Sequence, residues 1–503
     1  MSDQQRVVVV GAGNAALVAA LAAHEAGAEV RVLEAATREE RGGNSRFSGG
    51  IFRTVHDGLA SLQPLLHPTN ARWLDRVDVA SYPRDRFLGD WMATSAGQPD
   101  PALVEMVVDR SLETVRWMHA RGVQWELAAN KLVDPDKLEP GTVYNMAPGG
   151  ALRALGEGIG LMKCLFAAVE AAGIEVSYDA PAAGLLTSGS TVEGVRMRRA
   201  DHVEEVRGTV VLASGGFESN PEMRLRYLGH GWDLVKVRGS RFNMGVMLTQ
   251  ALLSGAQPAG HWGGAHASPL DAAAPAVGDL RLTDKMSRYS YPYALLVNTA
   301  GDRFVDEGED EVWLTYAKTG WAVRAQDRAL AYQVFDQKTV HLLEPRYRTG
   351  TPVEAETIEG LAELLGVPVP RLAATVEDFN AAVAADAGER FVPFAADGLS
   401  AEPAGQLPKS NWAQRLDAPP FVAYPVTCGI TFTYGGLKVD DQARVLDTEG
   451  VPMPGLYAAG EITGNFFFHN YAAGSGLMRG AVFGRLAGEG AAAFDCGGRA
   501  GSR

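Results

Sequence analysis

Residues 7–36, VVVVGAGNAALVAALAAHEAGAEVRVLEAA, constrain this chain more than any other stretch. Val7 to Val10 form a continuous apolar run, as expected of a strand buried on both faces of a parallel sheet. Gly11 and Gly13 follow at once, and NAALVAALAAHEAGA then reads as an apolar, alanine-rich helix opened by Asn14 and Ala15. Gly11 permits a tight turn and Gly13 lets the backbone approach a pyrophosphate, while Ala16 stands where the usual pattern has a third glycine. The helix N-terminus supplies free N–H groups and a positive dipole end for that anion. A second strand, EVRVLE, ends in Glu34, 23 residues after Gly11 and close to the ~20 expected for an acid on a ribose hydroxyl. Strand, glycines, helix, strand and terminal acid together predict a dinucleotide site. The acid would face a 2′-phosphate, which disfavours NADP.

The glycine-rich loop after this strand separates FAD from NAD. RGGNSRFSGG, residues 41–50, combines Gly42, Gly43, Gly49 and Gly50 with Asn44, Ser45 and Ser48. Such a loop can lie flat against a flavin's phosphates and ring edge through backbone contacts that side chains would block. GTVVLASGGF places Ala213, Ser214 and Gly215 at a strand end, and with GIEVSYDAPAAGLL and VEGVRM it reads as strands closing the same sheet. Near the other terminus, GLYAAGEITG and AAGSGLMRG supply Gly460, Glu461, Gly464, Gly474, Gly476 and Leu477 for a second contact with the same dinucleotide. Between these ends lie about 150 residues without such segments. The fold class expected is α/β: a Rossmann-like FAD-binding domain split into residues 1–261 and 414–503, with an inserted α+β capping domain at 262–413.

The balance is acidic, 46 Lys and Arg against 60 Asp and Glu, and a net charge of −14 argues against nucleic acid or an anionic membrane as partner. A small-molecule substrate, even an anionic one, is compatible with a locally basic pocket. No basic n-region precedes an apolar h-region and no run reaches ~18 apolar residues, so neither a signal peptide nor an integral membrane segment is expected. Cys164, Cys428 and Cys496 are scattered without metal-like spacing, which fits a reduced cytoplasmic compartment and no metal site.

RGGNSR, GAQPAGHWGGAHA, YSYPYALLVNTAGDRFVDEGED, TYAKTG, YPVTCGITFTYGGLKVD, GLYAAGEITG and HNYAAGSGL occur in this order. Nearly end to end, they resemble the flavoprotein family of fumarate reductases, succinate dehydrogenases and 3-ketosteroid dehydrogenases. Within it the similarity is greatest to the FAD-dependent tricarballylate dehydrogenases. The resemblance implies an active site between FAD and the cap, with hydride transfer between flavin N5 and a carbon next to an activating group. Covalent-flavin members carry a histidine in the loop equivalent to residues 41–50; none is present here, so non-covalent FAD is expected. Many relatives have Thr-Gly-Asp-Gly where this chain reads NMGVM, residues 243–247. Tyr471 stands where soluble fumarate reductases place an arginine, and Thr431 and Phe432 where they place a histidine pair. A tyrosine there is similar to the ketosteroid dehydrogenases, in which it helps polarise a carbonyl. Ala472 and Ala473 replace the Pro-Gly of tricarballylate dehydrogenase-like chains.

The resemblance also implies the reacting groups. Tyr471, beside His469 and Asn470, is expected as hydrogen-bond donor or base, and His266 or His261 as a substrate-carboxylate contact. Lys318, next to Tyr316, is expected as base or carboxylate clamp, and Arg288 as a second anion clamp. Arg303 is expected to tie the cap together through Asp306 or Glu307. The expected reaction is oxidation of a C–C bond of a small polycarboxylate, such as tricarballylate to cis-aconitate. Electrons would pass to a separate protein, quinone or oxygen, since the chain has no cluster ligands. The alternative is the same flavin chemistry on a ketone or enone.

Overall fold

The computed structural model describes residues 5–72, 74–128, 141 and 143–494, so Cys496 lies outside the described residues. A six-stranded sheet organises the nucleotide-binding part. Strand Arg6–Val10 lies between Glu29–Leu33 on one side and Thr209–Leu212 on the other, all three parallel. Glu175–Ser177 extends the sheet beyond Glu29–Leu33, and Pro452–Ala458 and Arg444–Leu446 extend it beyond Thr209–Leu212. The apolar run Val7–Val10 is fully buried because neighbours flank it on both edges and the helices Asn14–Glu25 and Ser475–Ala493 pack against it.

The strands expected at GIEVSYDAPAAGLL and VEGVRM divide differently. Only Glu175–Ser177 joins the parallel sheet; Ala182–Ser188, Thr191–Arg198 and Val203–Arg207 form a separate antiparallel sheet of three strands. Their alternating apolar and polar residues suit a meander with one solvated face, whereas the central strand of the parallel sheet is apolar from Val7 to Val10.

A second six-stranded sheet is centred on the long strand Phe421–Thr433, which pairs with Lys236–Val237, Ala265–Asp271, Leu330–Phe335 and Val353–Ala355. Leu295–Asn298 adds to Leu330–Phe335 at the edge. Sheet membership therefore crosses both boundaries read from the sequence, since Lys236–Val237 and Phe421–Thr433 lie outside residues 262–413. A bulge between His266 and Ala267 shifts the register opposite Phe432. Such bulges re-aim a side chain at the rim of a sheet.

The first helix, Asn14–Glu25, packs along the last, Ser475–Ala493. Their crossing is close because small residues face each other. A Cβ on Gly484 would lie 2.6 Å from the Ala15 carbonyl oxygen, and one on Gly488 would lie 2.2 Å from that of Ala19. These contacts are with backbone, which cannot swing aside. Gly488→Val is expected to lower unfolding free energy by about 3 kcal/mol or more, with a matching loss of bound FAD on purification; urea unfolding and the visible absorbance per mole of protein check both.

Candidate active site

Ser214 and glycines from several separate loops open onto one cavity of about 470 Å³. At one end Glu34 is buried and its carboxylate accepts the Ala36 N–H at 2.8 Å. Burial raises its pKa, opposed by backbone donors. Gly11 holds φ at +105°, and a Cβ there would come within 2.4 Å of the Ala213 carbonyl oxygen, so the turn requires glycine. The Asn14 N–H donates to Ser45 Oγ at 2.9 Å and Asn14 Nδ2 donates to the Leu477 carbonyl at 2.9 Å. One residue thus locks the first glycine turn to the Arg41–Gly50 loop and to the last helix.

Of the residues expected to hold the dinucleotide, all but Gly42 and Gly464 line this cavity. Gly42 instead turns the chain into the short helix Gly43–Phe47, with φ at +110°. Asn44 Nδ2 donates to Glu218 Oε1 and to the Thr431 carbonyl, both at 2.6 Å, and Asn44 Oδ1 accepts the Ser240 N–H. Glu218, which no sequence motif pointed to, supplies a carboxylate beside the NMGVM stretch that lacks one: Asn243 Nδ2 also donates to it. Burial and the neighbouring Glu461 hold Glu218 well above the ordinary carboxylate range. Glu461 accepts the Thr433 N–H at 2.9 Å. Asn14 Oδ1 is buried and lacks a protein partner. Glycine turn, buried acid at the end of the second strand, helix N-terminus and this unpaired amide oxygen fit a flavin dinucleotide.

The opposite end is aromatic. Tyr471, His266, Tyr316, Phe432, Trp313 and Tyr289 line it. His266 stacks on Phe432 with centroids 5.1 Å apart, and meets Tyr316 at 4.8 Å and Tyr471 at 4.9 Å edge-on. Both ring nitrogens of His266 are buried without a partner. Burial, then the Arg238 charge, pushes its pKa well below the ordinary histidine value, so the imidazole is neutral. Tyr471 Oη accepts the Gly476 N–H at 2.8 Å, and burial raises its pKa. Burial, then Tyr471, raises Tyr316 well above the ordinary phenol value.

Four expected residues, Lys318, Arg288, His469 and His261, lie elsewhere. Lys318, on the helix Val312–Arg324, ion-pairs with Glu309 and does not line the cavity. Arg288 is fully buried, but Asp271 at 2.8 Å, Thr349 and the carbonyls of Lys285, Ser287 and Arg346 occupy its guanidinium. His469 is exposed outside the cavity, with its ring 4.6 Å from that of His261. Arg303 pairs with Glu307 at 2.6 Å rather than with Asp306. The cations in the cavity wall are instead Arg238, Arg241, Arg346 and Arg479. Arg238 and Arg346 share Asp284, and Arg346 Nε also meets Glu344 at 3.0 Å. Only KVRGSR, just before the NMGVM stretch, offered a sequence signal for Arg238; Arg346 in LEPRYR carried none.

Behind Tyr471, Arg53 Nε donates to the Ala473 carbonyl and its Nη1 pairs with Asp90 at 3.2 Å. Glu311, which begins the helix carrying Trp313 and Tyr316, lies near Arg53 and Arg86, yet burial outweighs them and lifts its pKa to about 7. A raised acid favours folding when protonated, so stability falls as pH rises from 4.5 towards 7 and stays lower above it. Glu311→Gln is therefore expected to stabilise the protein by about 2 kcal/mol at pH 8 and to change nothing at or below pH 4.5; urea unfolding at both values checks this.

This arrangement, a Rossmann-type turn and glycine loops feeding an aromatic reaction end, defines a dinucleotide-binding flavoprotein. The FAD binding domain family matches residues 6–477, and the chain belongs to it. It is 27% identical to a probable fumarate reductase, Ifc3, of Shewanella frigidimarina over 98% of this chain and 75% of that protein. It is 28% identical to a 4-oxocyclohexanecarboxylate 2-dehydrogenase of Sinomonas cyclohexanicum, covering 96% of this chain and 92% of the relative. An NADH:acrylate oxidoreductase of Vibrio harveyi is 28% identical over 78% of this chain, which spans only 37% of that longer protein. The fold matches the crystal structure of 3-ketosteroid Δ1-dehydrogenase from Sterolibacterium denitrificans with a TM-score of 0.72 at 21% identity, covering 97% and 99% of the two chains. The chain is an FAD-dependent oxidoreductase of the fumarate reductase and ketosteroid dehydrogenase type. Among the described residues no helix is long and apolar enough to cross a membrane.

Proposed function

We propose that this protein dehydrogenates a C–C bond next to a carbonyl in a small molecule, with FAD held non-covalently. One observation carries the reading: Tyr471 Oη is already an acceptor for the Gly476 N–H, so its own proton is free for an oxygen in the cavity. The bound FAD supplies the two-electron acceptor for the hydride. Tyr471 donates to the substrate's carbonyl oxygen and stabilises charge developing there. Neutral His266, with its ring 4.9 Å from that of Tyr471, offers a free nitrogen lone pair to receive the proton from the neighbouring carbon. Tyr316, its phenol held protonated by burial, serves as a donor rather than a base. The Sinomonas relative is named for a substrate carrying both a ring ketone and a carboxylate. A separate protein, quinone or oxygen would be the final electron acceptor.

The polycarboxylate reading, tricarballylate to cis-aconitate, rests on Arg238 and Arg346 in the cavity wall. Their charges already meet Asp284 and Glu344. A tricarboxylate would lose its hydration to a wall whose buried cations are compensated, a costly exchange. The ketone reading therefore comes first.

Anaerobic titration of the FAD-loaded protein with 4-oxocyclohexanecarboxylate and, separately, tricarballylate decides between them. Bleaching of the visible flavin band by the ketone, with enone recovered, is the expected outcome. Bleaching by tricarballylate alone reverses the order, and an unchanged band with both defeats both readings. Tyr471→Phe is expected to retain FAD while kcat/KM falls by roughly 10²–10³-fold.

A further inference from the structure

Beyond Tyr316 from Tyr471, the wall of the cavity holds two buried donors that nothing in the protein satisfies. Arg346 is only 7% exposed, and three contacts use its other nitrogens: Nη1 meets the Asp284 carboxylate at 3.1 Å and its carbonyl at 3.3 Å, and Nε meets Glu344 at 3.0 Å. Its Nη2 is buried without a hydrogen-bond partner. Tyr289 is 5% exposed; its N–H donates to Glu344 Oε1, but its hydroxyl is likewise buried and unpartnered. The two belong together, since the Arg346 guanidinium carbon stands 4.8 Å from the centroid of the Tyr289 ring. Tyr289 meets Tyr316 edge-on at 4.9 Å, and Tyr316 in turn lies 6.1 Å from Tyr471. Both residues line the same cavity as Tyr471.

We propose that Arg346 Nη2 and the Tyr289 hydroxyl form a second polar subsite that binds one carboxylate of the substrate, on the far side of Tyr316 from the reacting carbonyl. The inference rests on the ketone reading and narrows its substrate class to small oxocarboxylates. Buried donors left unpaired in a folded protein cost free energy unless a ligand or water completes them. Guanidinium and phenol both donate, so the ligand group that completes them is an acceptor, and a carboxylate offers two oxygens for the purpose. The charges nearby set the count. Arg238 and Arg346 are matched by Asp284 and Glu344, so the wall accommodates one added negative charge far more readily than three. Arg288 is a positioning residue here: its Nη1 donates to the Arg346 carbonyl at 3.0 Å and fixes the backbone from which that guanidinium projects.

The test is equilibrium binding to the FAD-loaded protein, read by calorimetry, which needs no turnover. The probes are 4-oxocyclohexanecarboxylate, its methyl ester and cyclohexanone. The expected result is that the carboxylate binds at least ten-fold more tightly than the ester. Tyr289→Phe and Arg346→Gln should each remove most of that preference while leaving ester affinity within about two-fold of wild type. Tyr289→Phe deletes a single hydroxyl and keeps the test decisive even if Arg346→Gln, which strips a partner from Asp284 and Glu344, fails to fold. Equal affinity of acid and ester, no measurable binding of the acid, or a preference that survives Tyr289→Phe overturns the subsite. Failure of the ketone chemistry shows up separately, as a flavin band that the bound acid does not bleach.

Discussion

Asn14 is the joint on which the site depends. Its N–H and side-chain amide tie the glycine turn of the first strand to Ser45 and to Leu477, residues brought from distant parts of the chain. Each bond contributes only about 1 kcal/mol, but a close helix crossing holds the partners within reach. Glycines on the last helix meet the Ala15 and Ala19 carbonyls with no room for a side chain. That crossing holds Gly476 and Leu477, and through the Gly476 N–H also Tyr471, against the N-terminal nucleotide turn. The geometry that would grip the cofactor is therefore also the geometry that aims Tyr471, the donor proposed above.

The nucleotide end was legible because it is built from backbone. Gly11 must be glycine for the turn, Gly50, at φ +68°, for its close approach to the Glu157 backbone, and such requirements are written directly into residue type. The reaction end is built from side chains whose partners are set by tertiary contacts, and residue type says little about those. Lys318 in TYAK and Arg288 in MSRYSYPY look equivalent to Arg346 in LEPRYR as isolated cations. Only the fold shows that Glu309 occupies the first and that Asp271 with a set of carbonyls occupies the second. The antiparallel sheet of Ala182–Arg207 was misplaced for a related reason. Its alternation was visible, but which sheet a strand joins depends on pairing, and pairing is not local.

Charge compensation is the theme of the buried interior. Glu218 and Glu461 sit together beneath the flavin loops, where burial and mutual repulsion favour protonation of Glu218. Arg479, pushed down to about 10 by burial, lies between the rings of Phe466 and Phe467 and in the field of Glu461. At the reaction end Asp284 bridges two arginines. In each place an ionic group is retained in a dry region only with a counter-charge or a shared proton, as the cost of an isolated buried charge demands.

That compensation decides how the cavity can recognise a substrate. A wall of free cations would draw any polyanion, and selectivity would rest on shape alone. A compensated wall exerts little net field, so recognition passes to individual donors left over after the internal pairing: the Tyr471 hydroxyl on one side of Tyr316, and the Tyr289 hydroxyl with Arg346 Nη2 on the other. Between them His266, Phe432 and Trp313 offer flat apolar surface and a neutral imidazole. A molecule that satisfies these three donors has two acceptor ends and a short apolar body, and in the proposed reaction its reacting carbons lie at the end where Tyr471 and His266 meet. Recognition and chemistry are then separate functions of the two ends of one pocket, with the position of Tyr316 setting the spacing between them.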